Sequence, residues 1–111
     1  ILVQSKKQNP DTLFVLCLPF VYPVSKVKDN WKKYSSTVAS LSARTKKLAS
    51  AFNAVVVDFP AVFDKAIKRA PAGYWIWDGI HPTVSGHELM AREWIKQVSA
   101  RLKFLQVYKY K

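Results

Sequence analysis

The sequence predicts an α/β fold in which a parallel sheet carries helices on both faces, the three-layer flavodoxin-like arrangement. Two observations carry this. Residues 13–18 are a continuous apolar run bounded by turn residues, and residues 54–59 are rich in β-branched residues with Asp58 near the end, as expected of two buried strands. Around them lie segments whose apolar residues recur at helical spacing, and strands alternating with helices imply right-handed crossovers between parallel strands. Two strands are too few for such a sheet, so the remaining strands are expected from a further segment. With 111 residues, half of them hydrophobic, the chain suffices for one core and is one domain or part of one.

Taken in order, Ile1-Leu2-Val3 followed by Lys6-Lys7 reads as the end of a helix, with cations where they suit the macrodipole. Asn9-Pro10-Asp11-Thr12 is a turn. The first strand then contains Cys17, which is expected to be a buried small hydrophobe and, as a single cysteine, leaves the redox compartment open. Pro19 ends that strand. The segment from Phe20 to Lys26 would lie at the carboxyl edge of the sheet, where open α/β sheets place ligands. Phe20 and Tyr22 are therefore candidates to line a substrate cleft or to cover the sheet edge.

The longest helix is expected to start at Asp29 as N-cap. Trp31, Tyr34, Val38, Leu41, Leu48 and Phe52 would form its packed face, and Asn53 would stop it. After the second strand, Asp58 reads as a helix cap with Pro60 in the first turn. Val62, Phe63, Ala66, Ile67 and Ala70 make the next apolar face, broken by Pro71 and Gly73. Ser85 with Glu88 resembles a capping box for a last helix whose inward face is Leu89, Ala91, Trp94, Ile95, Val98 and Leu102. The tail from Phe104 to Lys111 is an edge strand, a packing extension or a frayed terminus.

A formal net charge of +11 raises the possibility of a polyanion partner. No zinc-ligand spacing, phosphate loop or aromatic RNA-binding signature accompanies the charge, which is read as solvated helix faces. No nucleic acid, metal or cofactor is expected. No apolar run reaches the roughly 18 to 20 residues of a membrane span.

Between the last two helices lies Trp77-Asp78-Gly79-Ile80-His81-Pro82-Thr83. A carboxylate three residues before an imidazole can hold one ring nitrogen and leave the other free to take a proton from a nucleophile. Gly79 permits a sharp turn, and Pro82 biases His81 towards extended backbone. Trp75 and Trp77 would wall an acyl or sugar site or anchor the loop. His87, in a helix start, reads as structural.

The run from Asp78 to Thr83, followed by Gly86-His87 and an amphipathic helix, resembles the last conserved block of the SGNH (GDSL-like) hydrolases. The resemblance implies that His81 is the general base of a Ser-His-Asp triad and Asp78 its orienting carboxylate. It also implies a three-layer fold and an esterase acting on acyl groups, with acetyl esters of carbohydrates as the expected substrate. The family's Gly-Asp-Ser block is absent here, and so are the glycine and asparagine contexts of its oxyanion hole. The chain opens at Ile1 without a leader, so residues 1–111 are expected to be the C-terminal portion of one such domain, partnered by a nucleophile-bearing N-terminal segment. A basic binding module and a non-catalytic, sugar-binding relic of the fold are the alternatives.

Overall fold

A computed structural model describes residues 1–107. The elements run α1 (Leu2–Gln8), β1 (Val15–Cys17), α2 (Lys26–Asp29), α3 (Trp31–Ala51), β2 (Val55–Val57), α4 (Phe59–Ala66), α5 (Ala72–Trp75) and α6 (Val84–Arg101), then a 3-10 turn over Lys103–Val107. Strands β1 and β2 pair in parallel with Val15 opposite Val55 and Cys17 opposite Val57, and α3 is the crossover between them. Helix α3 lies on one face of the pair, and α6 packs on β2 with α4 and α5 beside it. This is the expected α/β layering. No helix among the described residues is long and apolar enough to cross a membrane. The tail reads as a 3-10 turn as far as Val107, and the possible edge strand beyond it falls outside the described residues.

The core sits on the α4–α6 side. Val57, Phe63, Ala66 and Ile76 are fully buried, with Tyr22, Phe59 and Trp75 around them. Each large side chain there contributes about 1.5–3 kcal/mol by burial. Phe20 packs on Phe63 with ring centroids 4.8 Å apart, and the Tyr22 hydroxyl donates to Asp64 Oδ1 at 2.7 Å.

Local signals act as the residue types demand at several ends. Asn9 Oδ1 accepts from Asp11 N, and Thr12 N closes the turn onto Asn9 O. Asp58 caps α4 by accepting from Ala61 N at 3.0 Å. Asn53, at φ +48, ends α3 in a Schellman motif, in which Ala54 N donates to Ala49 O and Asn53 N to Ser50 O.

Four expectations are corrected. Asp29 does not cap α3: it ends the separate turn α2, and Asn30 takes the N-cap position without a side-chain bond. The inward face of α3 is Ser35, Val38, Ser42, Thr45, Ala49 and Phe52, whereas Trp31, Tyr34, Leu41 and Leu48 are 37–47% exposed. Small residues let the helix approach the sheet, and hydroxyls such as Thr45 Oγ1 satisfy themselves on their own helix's carbonyls. In α6, Val98 is buried, but Ala91, Trp94 and Ile95 are exposed and Met90 faces the core instead. Cys17 is exposed rather than buried: α6 packs on β2, whereas β1 is met mainly by α3.

That edge has a definite composition. Phe14 O and Leu18 N bond to β2. In a parallel ladder the alternate residues, Val15 and Cys17, then point their backbone groups the other way. Among the described residues no strand meets them. The radius of gyration is 15.8 Å with a shortest extent of 17 Å, against about 13 Å for the radius of a compact domain of this length. The chain is a flat slab with an uncovered flank.

Candidate active site

Helix α5 is a single turn that delivers Trp75 and Ile76 into the core. Ile76 then pairs with Pro82 in an isolated antiparallel bridge, and Trp77 N donates to His81 O at 3.2 Å. The five residues from Trp77 to His81 are thereby pinched into a closed loop. Gly79 makes the closure possible. It has φ +93, and a Cβ there would stand 2.4 Å from Tyr22 O, because Tyr22 N donates to Gly79 O at 2.9 Å.

Inside this loop one carboxylate collects three donors. Asp78 Oδ1 accepts from Ile80 N at 2.9 Å and His81 N at 2.7 Å, and Oδ2 faces His81 Nδ1 at 2.6 Å. The backbone N–H of His81, more than any other cause, pulls the Asp78 carboxyl down to about 2 from its ordinary 3.8, with the His81 ring and the Ile80 N–H acting in the same direction and partial desolvation opposing them. Asp78 is therefore ionised and acceptor-only at neutral pH. In the neutral imidazole, donation from Nδ1 leaves Nε2 with its lone pair. The His81 side chain is 67% exposed against 21% for Asp78, so the ring is accessible while its anchor is sheltered.

The exit from the loop is fixed by a residue that sequence reading missed. Thr83, not Ser85, is the N-cap of α6: its Oγ1 accepts from Gly86 N at 3.1 Å and donates back to Tyr74 O at 2.8 Å. Its backbone N also donates to Trp75 O at 2.8 Å. Glu88 pairs with Arg92 at 2.8 Å. Gly86 lies against the same carbonyl, where a Cβ would stand 2.2 Å from Trp75 O. Threonine and serine are both good N-cap residues, so residue type alone does not choose between Thr83 and Ser85; the contacts of Thr83 Oγ1 with the Tyr74 and Trp75 carbonyls do.

The other expected site residues separate. Trp75 is buried and donates its Nε1–H to Ala70 O at 3.2 Å, as an anchor would. Trp77 is 61% exposed and stacks on His81 with ring centroids 6.0 Å apart and planes inclined by 23°. Phe20 and Tyr22 line a cleft of about 330 Å³ with Trp31, Val38, Pro60 and Asp64, at the carboxyl ends of the strands; neither Asp78 nor His81 lines it. His87 is exposed in the first turn of α6 with Nδ1 3.0 Å from Thr83 O.

Comparison with known proteins places these features among relatives. The family model described as GDSL-like Lipase/Acylhydrolase matches residues 4–94. An acetylxylan esterase from Geobacillus stearothermophilus is 32% identical over 53 residues, 48% of this chain and 24% of that protein. Among solved structures, a protein from Parabacteroides merdae described as a GDSL-like lipase superposes with a TM-score of 0.81 at 35% identity, over 88% of this chain and 44% of that one. An acetyl xylan esterase structure from Geobacillus stearothermophilus gives a TM-score of 0.67 at 23% identity, over 87% and 43%, a likeness of fold. The chain spans less than half the length of each of these proteins.

Proposed function

Because the chain belongs to the family of GDSL-like lipases and acylhydrolases, we propose that it supplies the histidine and aspartate of a Ser-His-Asp triad in an acyl-ester hydrolase. His81 is the general base and Asp78 the carboxylate that orients it. The observation that carries this reading is the 2.6 Å contact from His81 Nδ1 to one oxygen of a carboxylate whose other oxygen is held by two backbone N–H groups. Such a carboxylate stays ionised and cannot rotate away, so it holds the imidazole in the tautomer that presents Nε2 as a base.

The reaction follows from that tautomer. A serine hydroxyl on a segment beyond these residues attacks the acyl carbonyl as Nε2 takes its proton, and Asp78 stabilises the imidazolium that forms. The imidazolium then protonates the departing alcohol, and in the second half Nε2 deprotonates the water that releases the acid. Donors for the oxyanion come from the same further segment. The open edge of β1 and the exposed stripe of α3 support the docking of that segment, since unpaired edge groups and uncovered apolar side chains are what it would cover. Residues 1–111 then form the C-terminal portion of one domain.

Acetyl esters of carbohydrates are the substrate class, a choice supported by the local match to an acetylxylan esterase and by the exposed Trp77 face beside His81. Phe20 in the cleft wall would lie further along the bound ester, whereas Tyr22 and Trp75 hold the scaffold.

The test is labelling with a serine-reactive fluorophosphonate followed by intact mass under denaturing conditions. The expected result is a label on a serine outside residues 1–111, lost in His81→Gln. A label on a serine within these residues, or labelling indifferent to His81, would contradict the assignment. Salt-sensitive binding of a polyanion without turnover would instead favour the basic-module reading.

A further inference from the structure

The geometry points to Trp77 as a positioning residue for His81: we propose that its indole fixes the plane of the imidazole, and hence the direction of Nε2, in the hydrolytic site. This inference rests on the reading of His81 as general base.

An imidazole that is 67% exposed is held by its Cβ–Cγ bond and by one hydrogen bond at the adjacent Nδ1, both on the same side of the ring. Small excursions of its side-chain torsions still tilt the ring plane and displace the distal Nε2, even though its tautomer is fixed. Nothing polar restrains the far side of the ring: among the described residues, the ring's bonded partner is Asp78. The second constraint is a surface. Trp77 lies against the ring at 6.0 Å between centroids with planes inclined by 23°, inside the range of offset aromatic stacking.

The backbone makes this surface permanent. Trp77 N donates to His81 O, and the neighbouring Ile76 and Pro82 form the bridge that closes the loop, so the two rings are carried on facing strands of one pinch. Ile76 is completely buried, which anchors the Trp77 side. The exposure of Trp77 also has a reason under this assignment. A tryptophan that is 61% exposed contributes little to the core, whereas a planar ring over a site that becomes an imidazolium lies within the roughly 6 Å at which a cation gains from an indole face.

The experiment reads the stack without requiring turnover. In the protein labelled with 15N and 13C on histidine, the carbon-bound ring protons of His81 are expected to be shifted upfield by the Trp77 ring current relative to those of His87, an internal control in the same chain. Trp77→Leu should abolish that difference and Trp77→Phe should restore part of it, with the hydrogen-exchange protection of the Ile80 and His81 amides retained in both. In the serine-bearing enzyme acting on p-nitrophenyl acetate, Trp77→Leu should lower kcat about 3- to 10-fold with KM within about twofold, and Trp77→Phe should recover most of it, as expected for loss of a restraint felt in the transition state. His81 ring protons indifferent to Trp77→Leu would overturn the stack, and an intact ring-current difference with unchanged kcat would overturn its positioning role. A stack that behaves as expected in an enzyme insensitive to His81→Gln would refute the general-base reading instead.

Discussion

The Asp78–His81 loop and the β1 edge are opposites in construction. The loop is closed on itself: Asp78 has three donors, Thr83 links Tyr74 to Gly86, and Gly79 accepts from Tyr22. The edge is open: among the described residues no strand meets Val15 and Cys17 on one side, and Trp31, Tyr34, Leu41 and Leu48 are half-exposed along α3. A carboxylate–imidazole pair can be built from one short stretch of chain whose main constraints are local, with a single distant hydrogen bond from Tyr22 N to Gly79 O holding the turn in place. A sheet cannot, because its backbone groups need partners from elsewhere.

The contrast is broken most severely at the carboxylate. Asp78→Asn keeps an oxygen for the two backbone N–H groups but offers an N–H to His81 Nδ1, reversing the tautomer. Turnover of p-nitrophenyl acetate by the serine-bearing enzyme should fall about 10⁴-fold, as in triads so altered, with little change in melting temperature.

The next effect is on closure. Gly79→Ala and Gly86→Ala place a Cβ at 2.4 and 2.2 Å from backbone carbonyls, the first also at positive φ. Each should cost about 1–3 kcal/mol or more, lowering the melting temperature by several degrees in a thermal scan. Gly73→Ala, with its nearest neighbour Val24 at an ordinary 3.6 Å, is the control and should be neutral or slightly stabilising.

Acid should open the loop late. The Asp78 pKa is lower in the folded loop, about 2, than in an unfolded chain, so its contribution is complete above about pH 4 and is lost as pH falls towards 2. Hydrogen-exchange protection or chemical shifts of the Ile80 and His81 amides, followed from pH 5 to 2, should hold to about pH 4 and then collapse. In Asp78→Ala they should be weak throughout.

The smallest expected effect is at the open edge of β1. Cys17 is exposed at the open edge, so a maleimide should label it readily in this chain. Docking of a further strand should slow labelling on the order of tenfold by burying the edge. Equal rates with and without the serine-bearing segment would show that nothing docks there.

Much of this was legible in the sequence wherever the signal is local. The two apolar runs became β1 and β2, Asn53 and Asp58 mark ends through their own hydrogen bonds, and the spacing of Asp78 and His81 suffices to bring carboxylate and ring together. What was not legible depends on neighbours. The large apolar residues of α3 suggested its packed face, but the inward face is built largely of Ser35, Ser42, Thr45 and Ala49, with Ser35 and Ser42 beside the cleft that Phe20 and Tyr22 line, and their small size matters more than their polarity. Thr83 rather than Ser85 caps α6 because the loop brings Tyr74 and Trp75 carbonyls to it, a tertiary fact invisible to a capping pattern. The stacking of Trp77 on His81 likewise depends on the Ile76–Pro82 bridge.

The most direct test of the central claim is the rate at which the serine-bearing enzyme deacetylates an acetylated xylo-oligosaccharide, compared between wild type and His81→Gln across about pH 5 to 8, where imidazoles titrate. The wild-type rate is expected to fall on acidification, and the variant to lose on the order of 10³- to 10⁶-fold with no remaining pH dependence of that kind. A variant within tenfold of wild type, or a wild-type rate flat across that range, would contradict that claim.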